Sequence, residues 1–394
     1  MLYFRSIYTI APQYVIIEQR GDDMKRTSEI LERAVQVNDG LTQTSADGVN
    51  MAFDTKYGIM FCAYMTGAHG AYGESRGRIS LSYFPAGQPT NMRALDIAVG
   101  DDVYCQNILS LGEGAVRVIY EKNSRAELEH YTCYRDFNYL TGELSEPARM
   151  NLRREDGSVV PLTTKEQFAY LERHGHFNHE FCRTEQISFG GHSIFDSGDG
   201  YLYGTISSFL AEPILYRSAD HLATLEFFAI CPHVAQYEMD YKLLDGKIYA
   251  IFRTDKGEYG SIRCTTSSDM GKTWTDAIEL ENSIGVRPRL IIHNNRVLIG
   301  YNVLDFNTQN FPPILAPRTH AVLRLWDTEN PNDGEIVADL HSKYGVVNIC
   351  LMDIKGDAYM AYSCSEIPLE CYNGMRRLRG KSVVKYLKLG DLTE

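Results

Sequence analysis

Residues 238–252 read EMDYKLLDGKIYAIF: a polar residue, a run of alternating apolar and polar positions, an Asp-Gly turn and a second apolar run. Alternation with period two marks a half-buried strand, and Asp-Gly supplies the positive φ that a tight hairpin turn needs. The pattern recurs as NMAFDTKYGIMFCAY (50–64), QNILSLGEGAVRVIY (106–120), HSIFDSGDGYLYGTI (192–206), RPRLIIHNNRVLIGY (287–301) and NICLMDIKGDAYMAY (348–362). The turn residues are Gly58, Gly114, Gly200, Gly246, Asn295 and Gly356, separated by 56, 86, 46, 49 and 61 residues. Most of these spacings suit a four-stranded blade with its loops. The repeat predicts an all-β chain folded as a single six-bladed β-propeller over residues 1–394, with the six segments at the inner strands.

Eight residues before each turn residue stand Asn50, Gln106, His192, Glu238, Arg287 and Asn348, each polar and each opening an apolar strand. A position repeated once per blade forms a ring at one mouth of the central channel, where convergent polar groups suit a ligand. The alternative is that strand starts are polar because they emerge from loops.

The longest spacing, Gly114 to Gly200, predicts an excursion over 121–186, with a short helix near 164–174 in TTKEQFAYLERHG. Thr164 and Gln167 form a capping-box pattern there, and Gly175 is placed to stop the helix. Such an excursion covers a site or makes an oligomer contact. Residues 24–37, MKRTSEILERAVQV, read as helix or strand, and SVVKYLKL (382–389) reads as strand. Either terminus supplies the strand that closes the ring.

Composition narrows the function. A formal net charge of -12 argues against nucleic acid, whose phosphates demand a basic face. No run of 18 apolar residues is present, so no membrane span is expected. The 26 Tyr against 2 Trp suit half-buried sheet surfaces and carbohydrate sites. The N-terminus lacks the basic start and apolar core of a secretory signal, and the 9 Cys, Cys62, Cys105 and Cys350 among them, are scattered without a CxxC pair. Both features point to a cytoplasmic protein with buried, reduced thiols. His174, His176 and His179 in HGHFNH do not have a recognised zinc spacing, so no metal and no cofactor is expected.

Residues 267–274, SSDMGKTW, match the Asp-box motif S-x-D-x-G-x-T-W. Asp269 suits an Asx turn, Gly271 a positive φ, and Trp274 packing beneath the hairpin. With this motif the chain resembles the sialidase-like superfamily of Asp-box (BNR-repeat) propellers, over roughly its C-terminal half. The family carries a Glu before a D-G turn and an Arg closing the following strand, which Glu238 and Arg253 match. A further carboxylate-binding Arg falls on Arg287, with Arg289 as competitor, and the family's Tyr falls on Tyr344, followed here by Gly345 instead of Ser. In the first blade Asn50 stands where the family has another Arg, and the nearby loop TGAHGAYGESRGR offers His69, Glu74 and Arg76 in place of the family's Asp.

The resemblance implies a glycoside hydrolase acting on an oligosaccharide or glycoside with an acidic (sialic or uronic) sugar. Sialidases use Tyr where most glycosidases use a carboxylate, since the substrate's own carboxylate repels a charged nucleophile. Tyr344 with Glu238 is then expected as a hydrogen-bonded nucleophile and base, His192, His69 or Glu74 as proton donor, and Arg253 and Arg287 as forks for the carboxylate. Asn50, His69, Gln106, Asn348 and Asp240 complete the substrate-binding candidates, although Glu238 or Asp240 can instead pair with the arginines internally. Two rivals stay open: a lyase performing β-elimination on a uronate, and a glycan-binding propeller without turnover.

Overall fold

The structure is a computed structural model describing residues 31–38, 46–66, 77–100, 103–124, 129–176, 187–188, 194–208, 212–232, 238–254, 260–303, 318–326, 328–365 and 382–392. Its strands form six antiparallel blades in which each sequence hairpin supplies the first and second strands. The inner strands are Ala46–Asp54, Val103–Gly112, Phe195–Asp196, Met239–Leu244, Arg289–His293 and Val347–Ile354, here blades one to six. All six hairpin turn residues have positive φ, from 59° at Asn295 to 88° at Gly200, as the turn chemistry demands.

Each blade buries its two faces against its neighbours. The apolar clusters lie between successive blades: Phe61 and Val118 join blades one and two, Ile119 and Leu225 two and three, Leu215 and Phe252 three and four. Ile251 and Ile299 join four and five, Leu323 and Met360 five and six, and Met60 and Tyr386 close six onto one. The closing strand comes from the N-terminus: Val35–Gln36 pairs antiparallel with Ser382–Gly390, Val35 opposite Tyr386. The segment that read as helix or strand therefore ends as a strand. Val37 is fully buried, and Asn38 Oδ1 accepts from Val384 N at 3.0 Å.

The excursion is shorter than 121–186. Glu129–Asn138 and Ala148–Arg149 are ordinary outer strands of blade two. Extra chain begins at Asn151–Arg153, which runs parallel to Thr224–Ile230 and, with Val159–Pro161, widens blade three on its outer edge. The helix spans Thr164–Arg173, and its N-cap is Thr163, whose hydroxyl accepts from Glu166 N at 3.4 Å, so the cap lies one residue before the expected Thr164. Gly175, at φ +74°, ends it as expected.

The turn over 267–274 is built as its sequence implied. Asp269 accepts from Thr273 N at 2.9 Å, Thr273 Oγ1 at 2.7 Å and Ser267 Oγ at 2.8 Å, while Trp274 Nε1 donates to Ile230 O at 3.1 Å. A Cβ on Gly271 would meet the Ala229 side chain at 2.6 Å, so glycine is required there. The same construction recurs between the third and fourth strands of blade three, where the sequence lacks the glycine. Asp220 Oδ1 accepts from Thr224 N at 2.8 Å, and Ser218 Oγ from Leu222 N at 2.9 Å.

Candidate functional site

The inner strands of blades four and five bring charged groups together with neutral acceptors from blades six and one. Arg289 opens the blade-five strand and is 1% exposed. Its Nε donates to Ile349 O of blade six at 2.6 Å, and its Nη2 to Asn50 Oδ1 of blade one at 2.9 Å. Blades five and one are not neighbours, so this second bond spans blade six and sets the guanidinium among the inner strands of three blades. Its Nη1 has no hydrogen-bond partner among the described residues. Burial lowers the Arg289 pKa to about 10, which still leaves it a cation at neutral pH.

Around it the other charges pair. Lys242 Nζ lies 3.1 Å from Asp240 Oδ1, both almost fully buried, and Asp240 Oδ2 accepts from Leu290 N of blade five at 2.9 Å. Burial lowers the Lys242 pKa, and Asp240 opposes that shift. Arg253 closes the second strand of blade four and so lies at the mouth, where its Nη1 is 3.1 Å from Glu238 Oε2. Arg253 N also donates to Glu238 O at 2.9 Å, which seats the pair. Arg287 is buried, two residues before Arg289.

Several sequence expectations change. Asp240, expected to bind substrate, is 1% exposed and engaged by Lys242 and the Leu290 amide, so it belongs to the wall. Asn50 is equally buried and serves as an acceptor for Arg289. Tyr344 and Glu238 are not hydrogen-bonded to each other. The Tyr344 ring packs on the cluster between blades five and six, with Lys343 Nζ 5.4 Å from its centroid, while Glu238 is held by Arg253. Asn348, half-buried with φ +51°, holds the inner-strand position of blade six that Tyr344 precedes by one short turn. His192 and His69, with Glu74 and Arg76, lie outside the described residues, as does the side chain of Gln106 on its inner strand. His174 and His176 each contact a separate carboxylate, Glu155 at 3.1 Å and Glu212 at 2.6 Å, and His179 lies outside the described residues.

Arg289 was legible only as a competitor to Arg287. The eight-residue count lands on Arg287, yet the blade-five inner strand begins only at Arg289, opposite Gly300; in blades one, two and six, bulges at Asp47/Asn50, Tyr104/Gln106 and Val347/Cys350 shift the register as well. A cavity of about 290 Å³ on the outer edge of blade three is lined by Arg153, Arg154, Arg173 and Arg217, each paired with a glutamate, Arg153 and Arg217 sharing Glu226.

No protein-family model matches the sequence, and no curated protein matches it. Solved structures do. Trypanosoma rangeli sialidase in complex with sialic acid matches with a TM-score of 0.56 at 11% identity, over 90% of this chain and 56% of that one. The fold is that of the sialidases. The chain spans just over half the length of the Trypanosoma rangeli enzyme. Two chains of similar length match over 90% of this chain and 96% of their own, each at 12% identity. One is the intramolecular trans-sialidase from Ruminococcus gnavus, in complex with oseltamivir carboxylate, with a TM-score of 0.55. The other is a protein of unknown function from Dyadobacter fermentans, with a TM-score of 0.57. Within this sialidase-like fold, Arg289 of blade five donates to Asn50 of blade one.

Proposed function

We propose that the protein is a carbohydrate-active enzyme of the sialidase type, which takes a sugar bearing a carboxylate at the channel mouth and cleaves the adjacent glycosidic bond. The observation that carries this reading is Arg289: a buried cation among the inner strands, with no carboxylate partner and one guanidinium nitrogen unengaged among the described residues. A buried charge held only by neutral acceptors is costly, and an arriving anion offsets that cost. Arg253, beside Glu238 at the rim, supplies a second guanidinium, and Arg287 a third on the blade that carries Arg289. The turns at 218–224 and 267–274 read as two Asp boxes, the first with Leu222 in the glycine position.

Glu238, held by Arg253, is the proposed base at the mouth. Because Tyr344 is not bonded to it, a second reading gains weight: glycan binding without turnover. A screen of sialosides, uronides and neutral glycosides separates these. Release of an acidic sugar supports hydrolysis, and a product double bond absorbing in the near ultraviolet marks β-elimination. Binding without product supports the second reading. Equal preference for neutral and acidic glycosides, or binding of neither, overturns the acidic-sugar assignment.

A further inference from the structure

We propose that His320, Asp339 and His341 form a binding site for a divalent transition metal of the zinc class on the mouth-side rim of blade five. The site is independent of the acidic-sugar reading. His320 opens the third strand of the blade, His320–Trp326, and His341 closes the fourth, Ile336–His341. The two histidines are direct cross-strand partners, and Asp339, two residues before His341, shares its face of the sheet. Strand alternation alone therefore brings three ligating side chains to one spot.

The side chains converge as a metal requires. His320 Nε2 is hydrogen-bonded to Asp339 Oδ1, and His341 Nε2 lies 3.2 Å from the same oxygen. The imidazole rings stack at 3.7 Å with 28° between their planes, and the three ligand atoms all lie within 4.8 Å of one another. Metal–nitrogen and metal–oxygen bonds of about 2.0–2.1 Å put tetrahedral ligands about 3.3 Å apart, close to the His341–Asp339 separation.

The donor set fixes the class. Two imidazoles and one carboxylate suit Zn²⁺ and its neighbours, whereas Ca²⁺ and Mg²⁺ prefer oxygen throughout. Three protein ligands leave a position for water. The site also has a structural consequence. Ser342 N donates to Thr319 O at 2.8 Å and Val346 N to Arg318 O at 2.7 Å, so the turn carrying Tyr344 leaves the blade beside this cluster. A bound metal would fasten the third and fourth strands where that turn begins.

The competing occupant of the same atoms is a proton, giving a hydrogen-bonded His-Asp-His cluster. Titrating EDTA-stripped, full-length protein with ZnCl₂ by calorimetry decides between them. The expected result is about one equivalent bound tightly, lost in both His320→Ala and His341→Ala and kept in a His174→Ala/His176→Ala double variant. Zn²⁺ should raise the Tm of the wild type but not of His341→Ala, a side chain that is nearly half exposed and tolerates replacement. Co²⁺ in place of Zn²⁺ should give visible absorption that the same variants abolish. Absence of tight Zn²⁺ binding, or unchanged stoichiometry in both single variants, overturns the proposal.

Discussion

Replacing Arg289 with Met isolates the group on which the functional reading rests. The guanidinium donates to Ile349 O at 2.6 Å and Asn50 Oδ1 at 2.9 Å. Hydrogen bonds to a charged group contribute about 1.5–3 kcal/mol each, so losing both forfeits roughly 3–6 kcal/mol. Burial, however, lowers the Arg289 pKa from 12.5 to about 10. That depression corresponds to about 3 kcal/mol of desolvation cost, which Met removes. The net loss of stability is therefore about 0–3 kcal/mol, a fall in Tm of a few degrees. Ligand binding should suffer more selectively. A unit charge about 8 Å from a bound carboxylate, at an effective dielectric of about 20, contributes about 2 kcal/mol, or roughly 30-fold in Kd. Thermal melts, with calorimetric titration of one acidic and one neutral sugar, measure both effects. Unfolding at room temperature would make Arg289 a structural keystone, and an unchanged Kd for the acidic sugar would refute the electrostatic reasoning.

Two further outcomes test the scaffold. Hydrogen bonds from Thr273 and Ser267 hold the Asp269 carboxyl down at about 2, below its unfolded value of about 3.9. Its contribution to stability should be full above pH 4 and vanish as pH falls through about 2, so the urea midpoint of Asp269→Asn should vary less than wild type across that window. Val37→Asp places a charge in the fully buried seam between blades six and one and should cost about 3 kcal/mol or more, read as a large drop in Tm. An unchanged Tm would mean that the N-terminal strand does not close the ring.

The hairpins were readable because their turns need residues that tolerate positive φ, a local demand independent of tertiary context. Blade two was harder. EHYTCYRDFN, residues 129–138, mixes charge with aromatics because Arg135 bonds to Ser145 O and Ile97 O and Asp136 to Arg117 of the adjacent strand, so in sequence the strand resembles part of an excursion. The turn in blade three carries no sequence motif because Leu222, at φ +67°, takes the place of glycine. At the mouth the ring of polar strand starts was legible, but side-chain direction was not. Bulges reset the register in blades one and six, and in blade five the strand starts at Arg289, two positions beyond the counted Arg287, and that residue bonds to blades six and one. Tyr344 matched by neighbourhood in sequence, yet its ring is captured by the apolar seam next to it. His320, Asp339 and His341 gave no motif, since two strands and a turn separate the first from the others and only cross-strand register unites them.

The most direct test of the central claim is to titrate the wild-type protein with N-acetylneuraminic acid and with its methyl ester, at low and moderate salt. The two ligands share shape and hydroxyls and differ in the carboxylate charge. An anion-binding channel mouth predicts tighter binding of the acid by at least about tenfold, with the difference shrinking as salt rises. Binding of the acid with no measurable loss on esterification would contradict the claim that a buried arginine among the inner strands selects an acidic ligand.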